Sequence, residues 1–460
     1  MTDQNDDFDR SLRERLRAYE DRVPGAAAPN LDTIGSGSSG RPRTAWGWAT
    51  LVATGGVAAG LIFVLILNSH LSPPTGQGSP AQHPTFSSSP ASTSSPTPSE
   101  TEQLSIAPVA GLTSADELRA ITLVGGRLVG VGRHGDQGAV WTSPDGETWT
   151  LAPDLPADQA DNSAATTMTS IVAGPGGLVA AGSRIGIDYS APRTWQSADG
   201  QRWTGITVPS GGAGGRIETL AVGGPGYVGV GLVSDDGYTA RGQMWSSADG
   251  RKWTVVDSAA LTGSLNDIID GDGILVAVGG NETAGLAFVS ADGGATWTAA
   301  PEQEALQGAE MTSVTFRSGT FVATEVVGPR DFRLATQAIW RSSDGLHWTL
   351  ALRGEPGQQI RQVVPSDAGF VAIGGDFPSH GWQYDPAAPN PPRDTVQLWF
   401  SADGEAWTGP TTGFVGEGGI TLGRATISGG ELLVPITLLN PGPGGPVYQP
   451  AILRGPLPVR

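Results

Sequence analysis

From about Leu104 onward, hydrophobic residues come in short alternating runs broken by Gly-rich turns. Seven stretches share one pattern, an apolar run, a turn and a second apolar run. They read ITLVGGRLVGVG from Ile121, IVAGPGGLVAAG from Ile171, LAVGGPGYVGVG from Leu220, IIDGDGILVAVG from Ile268, VTFRSGTFVATE from Val314, VVPSDAGFVAIG from Val363 and ATISGGELLVPI from Ala425. Period-two alternation around a Gly turn predicts a β-hairpin. A second signature, Ser-x-Asp-Gly-x-x-Trp, follows six of them. Its residues are Ser143, Asp145 and Trp149; Ser197, Asp199 and Trp203; Ser247, Asp249 and Trp253; Ser290, Asp292 and Trp297; Ser343, Asp344 and Trp348; and Ser401, Asp403 and Trp407. Asp-Gly between two apolar runs predicts a tight hairpin turn of the primed type, with Gly at positive φ. The Asp carboxylate and Ser hydroxyl can bond backbone N–H groups across it, and the Trp covers the hairpin from the next strand.

The Asp residues of the signature are spaced by 54, 50, 43, 52 and 59 residues, a period that means propellers, solenoids or arrays. Each repeat supplies four strands, inner A and B, then C and D joined at the Asp turn, and four-stranded units repeated radially are propeller blades. There are seven inner hairpins but six Asp turns. After the seventh, YQPAILRGP reads as a lone strand C, and LSIAPVAGL from Leu104 has the pattern of a strand D with no blade of its own. The expectation is an all-β, seven-bladed propeller over 104–460, its last blade completed by the N-terminal strand so that no edge is left free.

Upstream the pattern changes. Residues 46–67 are 22 residues without a charge, enough to span a bilayer core of about 30 Å as a helix. Arg41 and Arg43 precede them, Trp46 and Trp48 begin them, and no further charge occurs until Glu100. The positive-inside rule then places the N-terminus in the cytoplasm and the propeller outside, on an uncleaved signal anchor. In the 1–45 tail, Phe8, Leu12, Leu16 and Tyr19 share one helical face that ends at Pro24-Gly25. That short helix either lies on the membrane or docks a cytosolic partner. Residues 68–103 are rich in Ser, Thr and Pro and read as an extended linker.

Composition narrows the function. With 45 acidic and 27 basic residues the net charge is −18, which argues against nucleic acid as a partner. The absence of cysteine removes disulfides, thiol nucleophiles and thiolate metal sites. The five His are scattered and no loop has calcium-ligand spacing, so no metal or cofactor is expected. Lys252 is the only lysine, and an Arg, Ala and Gly bias of this kind fits a bacterial source.

The repeated boxes resemble the Asp-box, or bacterial neuraminidase repeat, of the sialidase-like propeller superfamily. SADGGATW at Ser290 fits that family's Ser-x-Asp-x-Gly-x-Thr-Trp pattern in full, and the other five are one residue shorter. The resemblance implies that the boxes serve structure in C–D turns, on the rim away from the substrate face. It leaves activity open, since the superfamily holds glycosidases, sorting receptors and assembly factors.

Chemistry belongs on the opposite face, in the B–C loops. There the sequence gathers Arg133, then Arg184, Tyr189 and Arg193, then Asp235, Asp236, Tyr238 and Arg241. A loop from Glu325 carries Arg330 and Asp331, and the longest, from Asp376, carries Trp382, Tyr384 and Asp385. Arginine, acid and aromatic ring together are what a carbohydrate or peptide site uses. The resemblance implies, for a sialidase, an Arg-Ile-Pro motif on the first strand, and this chain lacks it. Asp235/Asp236 and Asp376/Asp385 are carboxylate pairs of the type a two-acid glycosidase needs. The expected function is therefore non-catalytic, a recognition or scaffold module for a protein or glycan. A cell-surface glycoside hydrolase is the alternative, and an envelope sensor acting through the Phe8–Tyr19 helix a further one.

Overall fold

The computed structural model describes residues 104–457, less 108, 154–164, 187–189, 225, 236–239, 258–260, 262, 282, 328–335, 379–392, 417 and 441–446. The expected tail helix, membrane span and linker lie outside the described residues. Among the described residues no helix is long and apolar enough to cross a membrane.

Seven antiparallel sheets follow one another around a ring, each packed on the next. Blade 1 shows the pattern: strand A Asp116–Val124, B Arg127–His134, C Gln137–Ser143 and D Thr150–Leu151. Blade 7 is assembled from both ends of the chain. Its strand B is Glu431–Asn440 and its strand C Val447–Pro456, and the N-terminal strand Ser105–Ala107 adds antiparallel to strand C, with Ile106 opposite Leu453. Leu104 just before it is buried against blades 6 and 7. The ring closes as the hairpin count predicts.

Two tryptophan layers fill the ring. The outer one is the Trp of each box. The inner one, Trp141, Trp195, Trp245, Trp340 and Trp399, stands on the C strands. Each pairs with a small residue of strand B: Gly130, Ala180, Gly229, Ala323 and Ala372. A small residue leaves room for the indole to lie across the strand, between blades. Hiding about 200 Å² of such a side chain is worth about 5 kcal/mol. All five are buried.

The turns depart from expectation in a way that explains the two signatures. Primed two-residue turns, with both φ positive, join strands A and B. They occur at Gly125-Gly126 (57° and 78°), Asp272-Gly273 (54° and 86°), Ser318-Gly319 (49° and 79°) and Gly429-Gly430 (62° and 80°). At the Asp-Gly boxes only glycine is left-handed, Gly146 at 79° and Gly200 at 72°, and the Asp keeps negative φ. The box is therefore a longer loop built by side chains. In blade 2, Gly200 N–H donates to Ser197 Oγ (2.8 Å), Gln201 and Arg202 N–H donate to Asp199 Oδ1 (2.9 and 2.8 Å), and Trp203 Nε1–H donates to Gly200 O (3.2 Å). In blade 5 the hydroxyl comes from Ser342, which accepts from Gly345 N–H at 2.9 Å. Ser343, one residue along, points out to solvent.

Candidate functional site

The B–C loops rise from the ends of strands whose inner neighbours line the axis. In six blades strand A carries a β-bulge, at Arg119, Thr169, Glu218, Asn266, Thr312 and Arg361. In blade 7 strand A is split into Gly419–Leu422 and Thr426–Ser428, and Arg424 occupies the gap. Its backbone bonds to blade 1, N–H to Arg119 O (2.7 Å) and O to Ile121 N–H (3.1 Å). Its guanidinium crosses the axis to the opposite side of the ring, Nη1 to Asp267 Oδ1 in blade 4 (3.1 Å) and Nη2 to Thr219 Oγ1 in blade 3 (2.8 Å). The axial channel is bridged at this level.

Above that bridge the charged groups pair off locally. Arg133 and Arg119 share Glu117, at 2.7 and 2.9 Å, and His134 Nδ1 lies 2.6 Å from Asp116 Oδ1. Arg216 holds Glu218. Arg241 holds Asp235 at 3.3 Å and donates to Gly211 O (2.6 Å) and to Gln243 Oε1 (3.1 Å). Arg184 and Arg193 are half-buried on one face of blade 2, and both are engaged. Tyr189, Asp236, Tyr238, Arg330, Asp331, Trp382, Tyr384 and Asp385 lie outside the described residues, so the pairs Asp235/Asp236 and Asp376/Asp385 are seen from one side only.

The densest described group is at the mouth of blade 6. Asp376 ends strand B (Gly369–Asp376) and is exposed. Its neighbour is Asp394, just before strand C, which is fully buried and accepts from Ile420 N–H at 2.7 Å. The bulge residue Arg361 lies over the Phe377 ring, 5.8 Å from its centroid. Burial pulls Arg361 down to about 10 while Asp394 opposes that, so the guanidinium stays charged near neutrality. Partial burial, and then the charge of Asp394, raise the carboxyl of Asp376 above the usual range. Sequence reasoning chose Asp376 as a site residue and placed Asp394 at the end of the same loop without choosing it; it passed over Arg361, whose proximity depends on strand pairing across that long loop.

Sequence reasoning also placed Glu325 in a loop. It belongs to strand B of blade 5, Thr320–Val327, and is fully buried. The signal was present: it is the last residue of VTFRSGTFVATE, where five of the other six hairpins end in glycine. Among the described residues no group of three or more His, Asp or Glu is placed to hold a metal ion.

These features define a seven-bladed β-propeller with a bridged axis and a charged rim. No protein-family model matches the sequence, and no curated protein matches it. Among solved structures the chain is similar to YCF48 bound to D1 peptide, with 15% identity over 77% of this chain and 99% of that one and a TM-score of 0.44. It is also similar to Trypanosoma rangeli sialidase (15% identity, 74% and 54% coverage, TM-score 0.39). A prolyl endopeptidase is a third neighbour (10% identity, 74% and 50% coverage, TM-score 0.43). The chain spans about half the length of the sialidase and of the endopeptidase. A fold does not by itself fix a function, so function is argued from this chain's own residues.

Proposed function

We propose that this chain is a membrane-anchored, extracytoplasmic propeller that recognises a protein or glycan on its B–C loop face without transforming it. The observation that carries this reading is the pairing of five described arginines on the rim and the axis. Arg119, Arg133, Arg216, Arg241 and Arg424 each spend donors on an acid of their own blade or across the axis. A site that captures a substrate carboxylate for catalysis needs several arginines converging on one point. Paired, partly exposed charges instead set partner specificity and association rate. The 22 uncharged residues at 46–67 supply the anchor in this reading, with the Ser/Thr/Pro-rich segment as spacer.

A second reading rests on Asp376. An exposed carboxyl whose proton is held more tightly than usual, beside the buried carboxyl of Asp394, is the asymmetry a general acid requires. It makes the chain a glycoside hydrolase. The test is to probe the full chain on glycan and peptide arrays and, in parallel, with fluorogenic glycosides. Recognition predicts saturable binding without turnover, weakened about 2- to 5-fold by Arg241→Ala, as for a rim ion pair. Turnover that is abolished by Asp376→Asn while binding persists would overturn recognition and establish the hydrolase.

A further inference from the structure

The inner hairpins end on Gly132, Gly182, Gly231, Gly279 and Gly374, and each of these faces strand A at the residue before its bulge. The spacing there is too close for a side chain: a Cβ on Gly132, Gly279 or Gly374 would stand 1.7, 1.9 or 1.8 Å from a strand A carbonyl oxygen. Blade 5 puts Glu325 at this position, opposite Met311. Its Oε2 accepts a hydrogen bond from the Trp340 indole N–H. Its Oε1 is equally buried and has no partner among the described residues. The carboxyl reaches the seam toward blade 4, where a Cβ on Gly285 would lie 3.6 Å from Oε1, with Leu306 and Met311 against the same glycine. Among the described residues, the charge acting on it is Arg353 of strand D. Around that glycine Leu306 and Met311 present apolar atoms; the nearest acids of these elements are Glu304, which is exposed, and Glu310 of strand A, which accepts from Ser264 Oγ–H and Asn266 Nδ2–H of blade 4 at 3.1 and 2.9 Å.

We propose that Glu325 is a proton-operated wedge in the seam between blades 4 and 5. Neutral, it fits the dry seam with one oxygen on Trp340; ionised, it forces the seam to admit water. The device sits two residues before strand B ends on the rim face, so it ties the stability of that rim to external pH.

The reason is desolvation. A carboxylate with one oxygen unsolvated is costly, whereas the acid is tolerated. Burial raises the carboxyl to about 7, against smaller opposing effects of the Trp340 hydrogen bond and the Arg353 charge. The folded value lies above the unfolded one. The seam's stability is therefore full below the unfolded value and is lost as pH rises through the folded one.

The test is urea unfolding of the full chain and of Glu325→Gln between pH 5 and 8, followed by tryptophan fluorescence. The unfolding constant of the wild type should rise relative to Glu325→Gln by roughly 50-fold across that range. Parallel pH profiles for the two would overturn the proposal. If Glu325→Gln does not fold, Trp340→Phe serves: loss of the indole donor should move the pH-dependent loss of stability to higher pH. An unmoved profile would overturn the proposal equally.

Discussion

At the scale of single residues, the box aspartates act as local caps. Asp199 Oδ1 takes two backbone N–H groups, Arg202 first and then Gln201, and its pKa falls to about 2. Asp292 reaches a similar value chiefly through the Thr296 hydroxyl (2.6 Å) and Thr296 N–H (2.9 Å). Folded values below the unfolded one mean stability that is present above about pH 4 and lost as pH falls toward 2. Acid titration followed by tryptophan fluorescence should show that loss for the wild type. Asp292→Asn should be less stable at pH 7 and show a shallower dependence across the same window. An unchanged slope would mean the carboxylate does not cap the loop. Together with Glu325 this narrows the range of full stability from both sides, by different residues for opposite reasons.

At the scale of elements, the bulge and its opposing glycine form one unit. The extra residue kinks strand A toward the axis and lets an inner side chain reach the next blade, as Thr169 Oγ1 does to Ile217 O at 3.0 Å. The kink also presses strand A onto strand B, which is why glycine recurs there. Gly374→Ala should therefore cost about 1–3 kcal/mol by overpacking, since its Cβ would meet Gln359 O at 1.8 Å. Gly125→Ala is a contrast. It has open space around it but a φ of 57°, so it should cost only about 1 kcal/mol, from backbone conformation alone. Urea midpoints of the two variants would check the order, and equal losses would refute the crowding account.

At the scale of the whole ring, closure has two parts of different kinds. The N-terminal strand gives blade 7 a three-residue outer edge, and Arg424 ties blade 7 to blades 3 and 4 through the axis. Asp267 is almost fully buried and also accepts from Val314 N–H at 3.0 Å. Arg424→Met leaves that carboxylate short of a charged donor and should destabilise the ring by about 1.5–3 kcal/mol. A double-mutant cycle with Asp267→Asn should return a coupling of about 1–3 kcal/mol. Zero coupling would reduce the cross-axis bridge to a passive contact.

The sequence by itself determined the blade count, the four-strand repeat and the closing strand, because these rest on local periodicity and turn chemistry that each repeat states again. It also carried the oddity of Glu325, as one acid in a column of glycines, though not its meaning. Only the tertiary structure decided the rest. The primed turns moved to the inner hairpins because the boxes are closed by Ser and Asp side chains; that the fifth hydroxyl is Ser342 was already in the Ser-x-Asp spacing, since Ser343 adjoins Asp344 directly. Arg424 and Asp267, 157 residues apart in sequence, meet because a seven-fold ring brings opposite blades to one axis. Asp376, Arg361 and Asp394 gather because three strands of one blade end at the same mouth. Local pattern writes the blades, whereas contacts between distant charges exist only once the ring has closed.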